Sequence, residues 1–127
     1  MRIILADNHR QALWALKTML QEEPELELVG EAVDTERLFM LAEKATPDLI
    51  LVDRKLPGCH INDLLSNLHA LEPRPIVIVM SSNVEDSRMM LKAGADAFVS
   101  KGDHPDWLLE NLRQYAKRSP QKSGGSE

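Results

Sequence analysis

The sequence has one cysteine, few aromatic residues and no excess of positive charge. The single thiol, Cys59, excludes an internal disulfide, so we expect a cytoplasmic protein. Fifteen basic residues against 20 acidic residues give a net charge of -5, and such a chain lacks the basic field that attracts nucleic acid or anionic membranes. No apolar run is long enough to cross a bilayer. These absences argue against a disulfide-stabilised, membrane-spanning or nucleic-acid-binding domain.

The composition is that of a folded domain. The chain has 127 residues, of which 43% are hydrophobic and 28% charged, and this balance is sufficient to bury a core. From residue 119 onward the sequence turns polar, with serine and glycine and no periodic apolar residue. We therefore expect one domain over residues 1–118 and a flexible tail or linker stub over residues 119–127.

Five short β-like runs alternate with helical patterns. The runs cover residues 3–6, 26–32, 49–52, 76–80 and 97–99. The fourth run is apolar at every position, which is typical of a strand that is buried on both faces. This alternation predicts an α/β fold in which a doubly wound, five-stranded parallel sheet lies between two layers of helices.

Several polar residues predict where helices begin and end. Asp34 is a candidate N-cap for the second helix, and Gly94 is a candidate stop for the fourth. The segment from Ser82 to Glu85 has a capping-box pattern, which predicts a short fourth helix at about residues 84–93.

Polar side chains follow four of the five predicted strands. They are Asp7 and Asn8 after the first strand, Asp53 after the third, Ser81 after the fourth and Lys101 after the fifth. Alone, each would be interpreted as a turn former or a surface charge. Because the carboxyl ends of parallel strands meet at one edge of a sheet, we expect these side chains to converge there.

The residue types predict phosphoryl chemistry. A carboxylate nucleophile such as Asp53 can accept a phosphoryl group and form an acyl phosphate. Asp7 and Asp53 offer hard oxygen ligands for Mg²⁺, Lys101 offers a second positive charge, and Ser81 can donate a hydrogen bond to a phosphoryl oxygen.

Five ordered motifs extend over nearly the whole chain: IILADNH at residues 3–9, PDLILVD at 47–53, LPG at 56–58, KAGADAF at 92–98 and SK at 100–101. Together they resemble the receiver domains of bacterial two-component systems, and the NarL/FixJ type in particular. The resemblance implies a CheY-like, flavodoxin-like three-layer sandwich with strand order 2-1-3-4-5. It also implies that Asp53 is the phosphoacceptor, that Ser81 and Phe98 form a switch, and that the backbone carbonyl of Lys55 joins Asp7, Asn8 and Asp53 as a metal ligand.

The resemblance also implies partners. A sensor histidine kinase would be the phosphodonor, and an output partner would read the phosphorylated state. That output is either a separate protein or a C-terminal helix-turn-helix domain absent from this chain, and a homodimer is open. The domain would be no enzyme beyond its own phosphotransfer and dephosphorylation.

The chain departs from the family pattern at two places near the site. Asn8 stands where the family usually has a second acid, so the pocket has one negative charge fewer and Mg²⁺ should bind more weakly. This leaves open a degenerate receiver that binds a protein partner without being phosphorylated. The pair His60-Ile61 replaces a small pair in the loop that leads to the third helix.

The roles of the basic residues after Asp53 are also open. The side chain of Lys55 either faces solvent or compensates for a weak metal site, whereas Arg54 is expected to face solvent or cap the loop. The four histidines lack the spacing of a zinc site.

Two other classes that share this chemistry or topology fit poorly. A flavodoxin needs a Gly/Ser/Thr-rich phosphate loop after the first strand, where this chain has Asp7, Asn8 and His9. A haloacid-dehalogenase-type phosphatase has Asp-x-Asp there, and His9 stands in place of the second aspartate.

Overall fold

The computed structural model describes residues 1–118, which form a five-stranded parallel sheet with helices on both faces. The strands span Arg2–Ala6 (β1), Glu27–Ala32 (β2), Leu49–Asp53 (β3), Ile76–Ser81 (β4) and Ala97–Ser100 (β5). The helices span Arg10–Leu20 (α1), Thr35–Ala45 (α2), Ile61–His69 (α3), Ser87–Lys92 (α4) and Pro105–Arg118 (α5). The strand order is β2-β1-β3-β4-β5, as expected, and the proposed tail lies outside the described residues.

Two apolar cores form because side chains alternate between the two faces of each strand. On one face, Ile3, Leu5, Leu49, Leu51 and Ile78 pack against buried leucines of α1 and α5. On the other face, Ile4, Ile50, Val52, Val77 and Val79 pack against α2, α3 and α4. All five residues of β3 are buried, and the strand carrying Asp53 is therefore held from both sides.

The predicted ends of two helices are confirmed. Asp34 caps α2, since its Oδ1 accepts a hydrogen bond of 2.7 Å from the backbone N–H of Arg37. Gly94 follows the end of α4 with a φ of 117°, a conformation that glycine adopts without strain. Within residues 1–118, no helix has the length and apolarity needed to cross a bilayer.

The predicted capping box at Ser82 and Glu85 is wrong. A 3-10 turn spans Val84–Asp86, and α4 begins only at Ser87. The turn is capped by Asn83, whose side chain accepts a hydrogen bond of 3.0 Å from the Glu85 N–H. Asn83, not Ser82, accepts the hydrogen bond from the Glu85 N–H, because an asparagine side-chain oxygen can reach the backbone two residues ahead.

Candidate functional site

The polar residues predicted from the sequence lie at one edge of the sheet. Asp7 follows β1, Asp53 and Ser81 end β3 and β4, and Lys101 follows β5. The parallel register brings the ends together, since Asp53 pairs with Met80 and the Lys101 N–H donates to the Ser81 carbonyl at 2.8 Å. Asp7 is fully buried and Asp53 is 4% exposed, which makes them a pair of buried carboxylates.

Lys101 forms salt bridges with both carboxylates. Its Nζ lies 2.5 Å from Oδ2 of Asp7 and 2.8 Å from Oδ1 of Asp53. Burial disfavours the charged form, but the hydrogen bonds and charges of Asp53 and Asp7 outweigh burial and raise the pKa of Lys101 above its ordinary value. The lysine is therefore a permanent ammonium at neutral pH.

The turn after β3 fixes the Asp53 carboxylate. The backbone N–H of Lys55 donates to Oδ2 of Asp53 at 3.0 Å, and that of Leu56 donates to the Asp53 carbonyl at 3.1 Å. The Lys55 side chain is exposed and lines the cleft beside Asp53. This location is compatible with both interpretations of Lys55, and its role stays a prediction.

A glycine holds the next part of this loop against α2. Gly58 has a φ of 128°, and a Cβ there would lie 1.8 Å from the Thr35 hydroxyl oxygen. That hydroxyl accepts a hydrogen bond of 3.0 Å from the Cys59 N–H, and the Thr35 N–H donates to the Pro57 carbonyl at 2.9 Å. The loop and α2 can thus approach this closely only because Gly58 has no side chain.

His9 is a site residue that the sequence analysis missed. Its Nδ1 lies 3.1 Å from Oδ1 of Asp7, and its backbone N–H donates to the same oxygen at 3.0 Å. Ligand atoms of Asp7, His9 and Asp53 all lie within 4.8 Å of one another. Two carboxylates and an imidazole are a donor set that suits a divalent cation. The signal in the sequence was the position of His9, two residues after Asp7 and directly before α1.

Asn8, unlike Asp7 before it, is exposed to solvent. A cleft of about 340 Å³ opens over Asp53 and is lined by His9, Asp53, Lys55, Ser81, Ser82 and Lys101. The predicted metal-ligand role of Asn8 stays a prediction, as does that of the Lys55 carbonyl.

Ser81 is held by a buried acid that the sequence analysis did not single out. The Ser81 hydroxyl donates to Oδ2 of Asp86 at 2.7 Å and accepts from the Asn83 N–H at 3.0 Å. Nε of Arg54 lies 3.3 Å from the same Asp86 oxygen, and the side chain of Arg54 is only 29% exposed. The expectation that Arg54 faces solvent or caps the loop is therefore wrong, because the charge of Asp86 draws the guanidinium inward.

Phe98, the predicted aromatic switch, is half-buried in β5. It packs against the core between the sheet and the α2, α3 and α4 layer, and it pairs with Val79 of β4. Ser81 lies two residues after Val79 on β4. The two predicted switch residues therefore lie on the neighbouring strands β4 and β5.

The chain is similar to known signalling proteins. A family model described as response regulator receiver domain matches residues 3–113. The chain is 36% identical over 116 residues to the nitrate/nitrite response regulator protein NarL of Escherichia coli strain K12, covering 90% of this chain and 54% of that protein. The chain thus spans about half the length of this relative.

Solved structures share the fold. A CheY-like response regulator receiver domain protein from Methanospirillum hungatei JF-1 has a TM-score of 0.79 at 29% identity, with 96% of this chain and 98% of that chain covered. The isolated REC domain of RcsB from Salmonella enterica serovar Typhimurium has a TM-score of 0.81 at 23% identity, with 92% and 88% covered. The second likeness shows the fold alone.

Proposed function

The chain belongs to the response regulator receiver domain family, and on this premise we propose that Asp53 accepts a phosphoryl group from a sensor histidine kinase. The observation that carries the proposal is that Asp53, which shares the Lys101 ammonium with the buried Asp7, lines an open cleft. A merely structural ion pair would not need the cleft, whereas a phosphodonor must reach the Asp53 oxygen.

The proposed step is a direct phosphoryl transfer. An oxygen of Asp53 attacks the phosphorus of the donor phosphohistidine, and the new O–P bond forms as the P–N bond breaks. The electron pair of the broken bond stays on the donor imidazole. Lys101 already contacts Asp53, where its charge would stabilise the phosphoryl oxygens, and Ser81 lines the same cleft as a second hydrogen-bond donor.

The residues present fit a divalent cation. When bound, Mg²⁺ would supply positive charge to the phosphoryl oxygens. Asp7 and Asp53 would hold the ion, with Asn8 and the Lys55 carbonyl as further oxygen ligands and His9 close enough to take part. Two carboxylates and one ammonium leave a single negative charge to attract the ion, so we expect weak binding.

The output step is proposed to use Ser81 and Phe98. A hydroxyl drawn toward the phosphoryl group leaves room for the aromatic ring, and the surface of α4 and β5 then changes shape. An output domain or protein partner would read that surface. Since the chain spans about half of NarL, a C-terminal helix-turn-helix domain outside this chain is one such output, and homodimer formation is another.

A degenerate receiver is the second candidate function. The exposed Asn8 in place of a second acid favours it. In this case the domain would bind its partner in one fixed state.

Phosphorylation by a small-molecule donor separates the two candidates. The protein is incubated with acetyl phosphate in Mg²⁺ or in EDTA, and its intact mass is measured. We expect addition of one phosphoryl group in Mg²⁺ only, and its removal by hydroxylamine, which cleaves acyl phosphates. An unchanged mass in Mg²⁺, under conditions that modify a known receiver domain, would establish the degenerate receiver instead.

A further inference from the structure

Three charged or polar side chains from the ends of β3 and β4 and from the 3-10 turn form a cluster. They are Ser81, Asp86 and Arg54, and Oδ2 of Asp86 is their common point: it accepts the Ser81 hydroxyl at 2.7 Å and lies 3.3 Å from Nε of Arg54. Asp86 is 8% exposed, which makes it a buried acid outside the group of residues assigned to phosphoryl transfer.

We propose that Asp86 is a positioning residue that withholds the Ser81 hydroxyl from Asp53 until phosphorylation, when Arg54 replaces Ser81 as its partner. The inference rests on the proposed phosphorylation of Asp53. It adds that Asp86 and the phosphoryl group compete for the hydrogen of the Ser81 hydroxyl. This competition sets how readily the protein adopts its phosphorylated state.

The competition follows from the chemistry of serine. A hydroxyl has one hydrogen, so Ser81 can donate either to Asp86 or to a phosphoryl oxygen on Asp53, and not to both. The bond to Asp86 is short and has a charged acceptor, which places it among the stronger hydrogen bonds of proteins. Phosphorylation must therefore break a favourable contact before Ser81 can bind the phosphoryl group.

Arg54 provides a second partner for Asp86. A buried carboxylate that loses its hydrogen bond is destabilised unless another donor replaces the first. Nε of Arg54 is buried and, among the described residues, has no hydrogen-bond partner, because its approach to Asp86 at 3.3 Å lacks hydrogen-bond geometry. A small movement of the carboxylate toward Arg54 would satisfy both groups.

The position of Arg54 couples this exchange to the phosphoacceptor. Arg54 follows Asp53 directly, and its backbone N–H donates to the Met80 carbonyl at 2.7 Å. Met80 precedes Ser81 on β4, so Arg54 is fixed to both strands involved. The cluster thus has two arrangements that differ in the partner of Asp86.

Beryllofluoride with Mg²⁺ is the probe for the test, since it imitates an aspartyl phosphate. Its affinity is measured by amide chemical shifts in the wild type and in Asp86→Ala, with Glu85→Gln, an exposed acid in the same turn, as the control. Because one charge-assisted hydrogen bond shifts an equilibrium by about tenfold, we expect Asp86→Ala to bind about tenfold more tightly and Glu85→Gln to match the wild type.

The Ser81→Ala background shows whether the effect passes through the hydroxyl. We expect Asp86→Ala to have no effect on affinity when Ser81 is already alanine. A gain that persists in this background would overturn the proposal, because Asp86 would then act through its charge alone.

Arg54→Gln tests the second half of the exchange. We expect Arg54→Gln to weaken beryllofluoride binding when Asp86 is present. It should not change the affinity of Asp86→Ala, because that variant lacks the carboxylate with which Arg54 would pair. An equal loss in both backgrounds would show that Arg54 attracts the anion directly, which overturns its assigned role.

The wild type offers a reporter that does not depend on folding of a variant. The Asn83 N–H donates to the Ser81 oxygen, so its amide resonance should shift when beryllofluoride draws Ser81 away. A bound wild type in which Asn83 does not shift, or equal affinities of wild type and Asp86→Ala, overturns only the role proposed for Asp86. Failure of the wild type and all variants to bind beryllofluoride overturns the phosphoacceptor proposal, and the role of Asp86 with it.

Discussion

Nζ of Lys101 lies 2.8 Å from Oδ1 of Asp53, although β4 separates the two strands that position these residues. The lysine extends from the end of β5 across β4 to reach the end of β3 and also contacts Asp7 at the end of β1. One ammonium therefore joins three strands and contacts one oxygen of each carboxylate that would bind a cation.

Replacement of Lys101 by methionine should tighten Mg²⁺ binding. The variant removes the positive charge that competes with the ion for the Asp7 and Asp53 oxygens. A unit charge about 4 Å away contributes on the order of 4 kcal/mol at an effective dielectric of about 20, before desolvation is subtracted. We expect a net gain of about tenfold in affinity, measured by amide shifts during Mg²⁺ titration.

Lys44→Met is the matched control, because Lys44 is exposed at the end of α2, away from the carboxylates. It should leave Mg²⁺ affinity unchanged. Equal affinities of Lys101→Met and the wild type would show that the ammonium does not oppose the ion.

Replacement of Asn8 by aspartate should also tighten Mg²⁺ binding. The amide oxygen of Asn8 offers no net charge, whereas a carboxylate would restore the missing negative charge of the pocket. After desolvation and repulsion from Asp7 and Asp53, we expect a net gain of about one to two kcal/mol, or about tenfold. Titration of Mg²⁺ against amide shifts measures it, and tighter binding by the natural protein would show that Asn8 is no handicap.

Gly58→Ala should destabilise the protein. The new Cβ would meet the Thr35 hydroxyl at 1.8 Å and would require a φ of 128° from an L-residue. Strain and displacement together should lower the free energy of unfolding by about 3 kcal/mol, as measured by urea denaturation. Gly102→Ala is the control: its Cβ would lie 3.8 Å from the Ser100 hydroxyl, and its stability should stay within about 1 kcal/mol of the wild type.

The sequence alone predicted the convergence of Asp7, Asp53, Ser81 and Lys101, because parallel strands place their carboxyl ends at one edge and each residue directly follows or ends a strand. It could not predict the partners of Ser81. Asp86 lies five residues away on a 3-10 turn, and its burial depends on how that turn packs beside Arg54. Local patterns also misplaced the start of α4, since serine and asparagine compete for the same free amides.

His9 was missed for a related reason. Its ring direction depends on the first turn of α1, and a single histidine in a loop has no periodic signal. The imidazole lies beside Asp7 because the backbone N–H of His9 already donates to the Asp7 carboxylate.

The contribution of the Glu23–Arg113 ion pair should disappear in acid. Nε and Nη2 of Arg113 donate to the two Glu23 oxygens at 3.0 Å each, and this hydrogen bonding lowers the pKa of Glu23 below its ordinary value. A depressed folded pKa stabilises the protein above the unfolded pKa of about 4.3, and that stabilisation is lost as pH falls through the folded value. Arg113→Gln should therefore be less stable than the wild type at pH 7 and approach it in acid.

Urea denaturation at a series of pH values measures this difference. Lys117→Gln makes the same change in charge at an exposed position of α5 and is the control. A stability difference between the wild type and Arg113→Gln that is independent of pH would contradict an electrostatic origin.

The intact mass of Asp53→Asn after treatment with acetyl phosphate and Mg²⁺ tests whether Asp53 is the phosphoacceptor. The variant keeps the shape of the side chain and removes the nucleophilic carboxylate, while Asp63→Asn alters an exposed acid of α3 as a control. We expect the wild type and Asp63→Asn each to gain the mass of one phosphoryl group and Asp53→Asn to gain none. Uptake of one phosphoryl group by Asp53→Asn at the wild-type rate would contradict the role of Asp53 as phosphoacceptor.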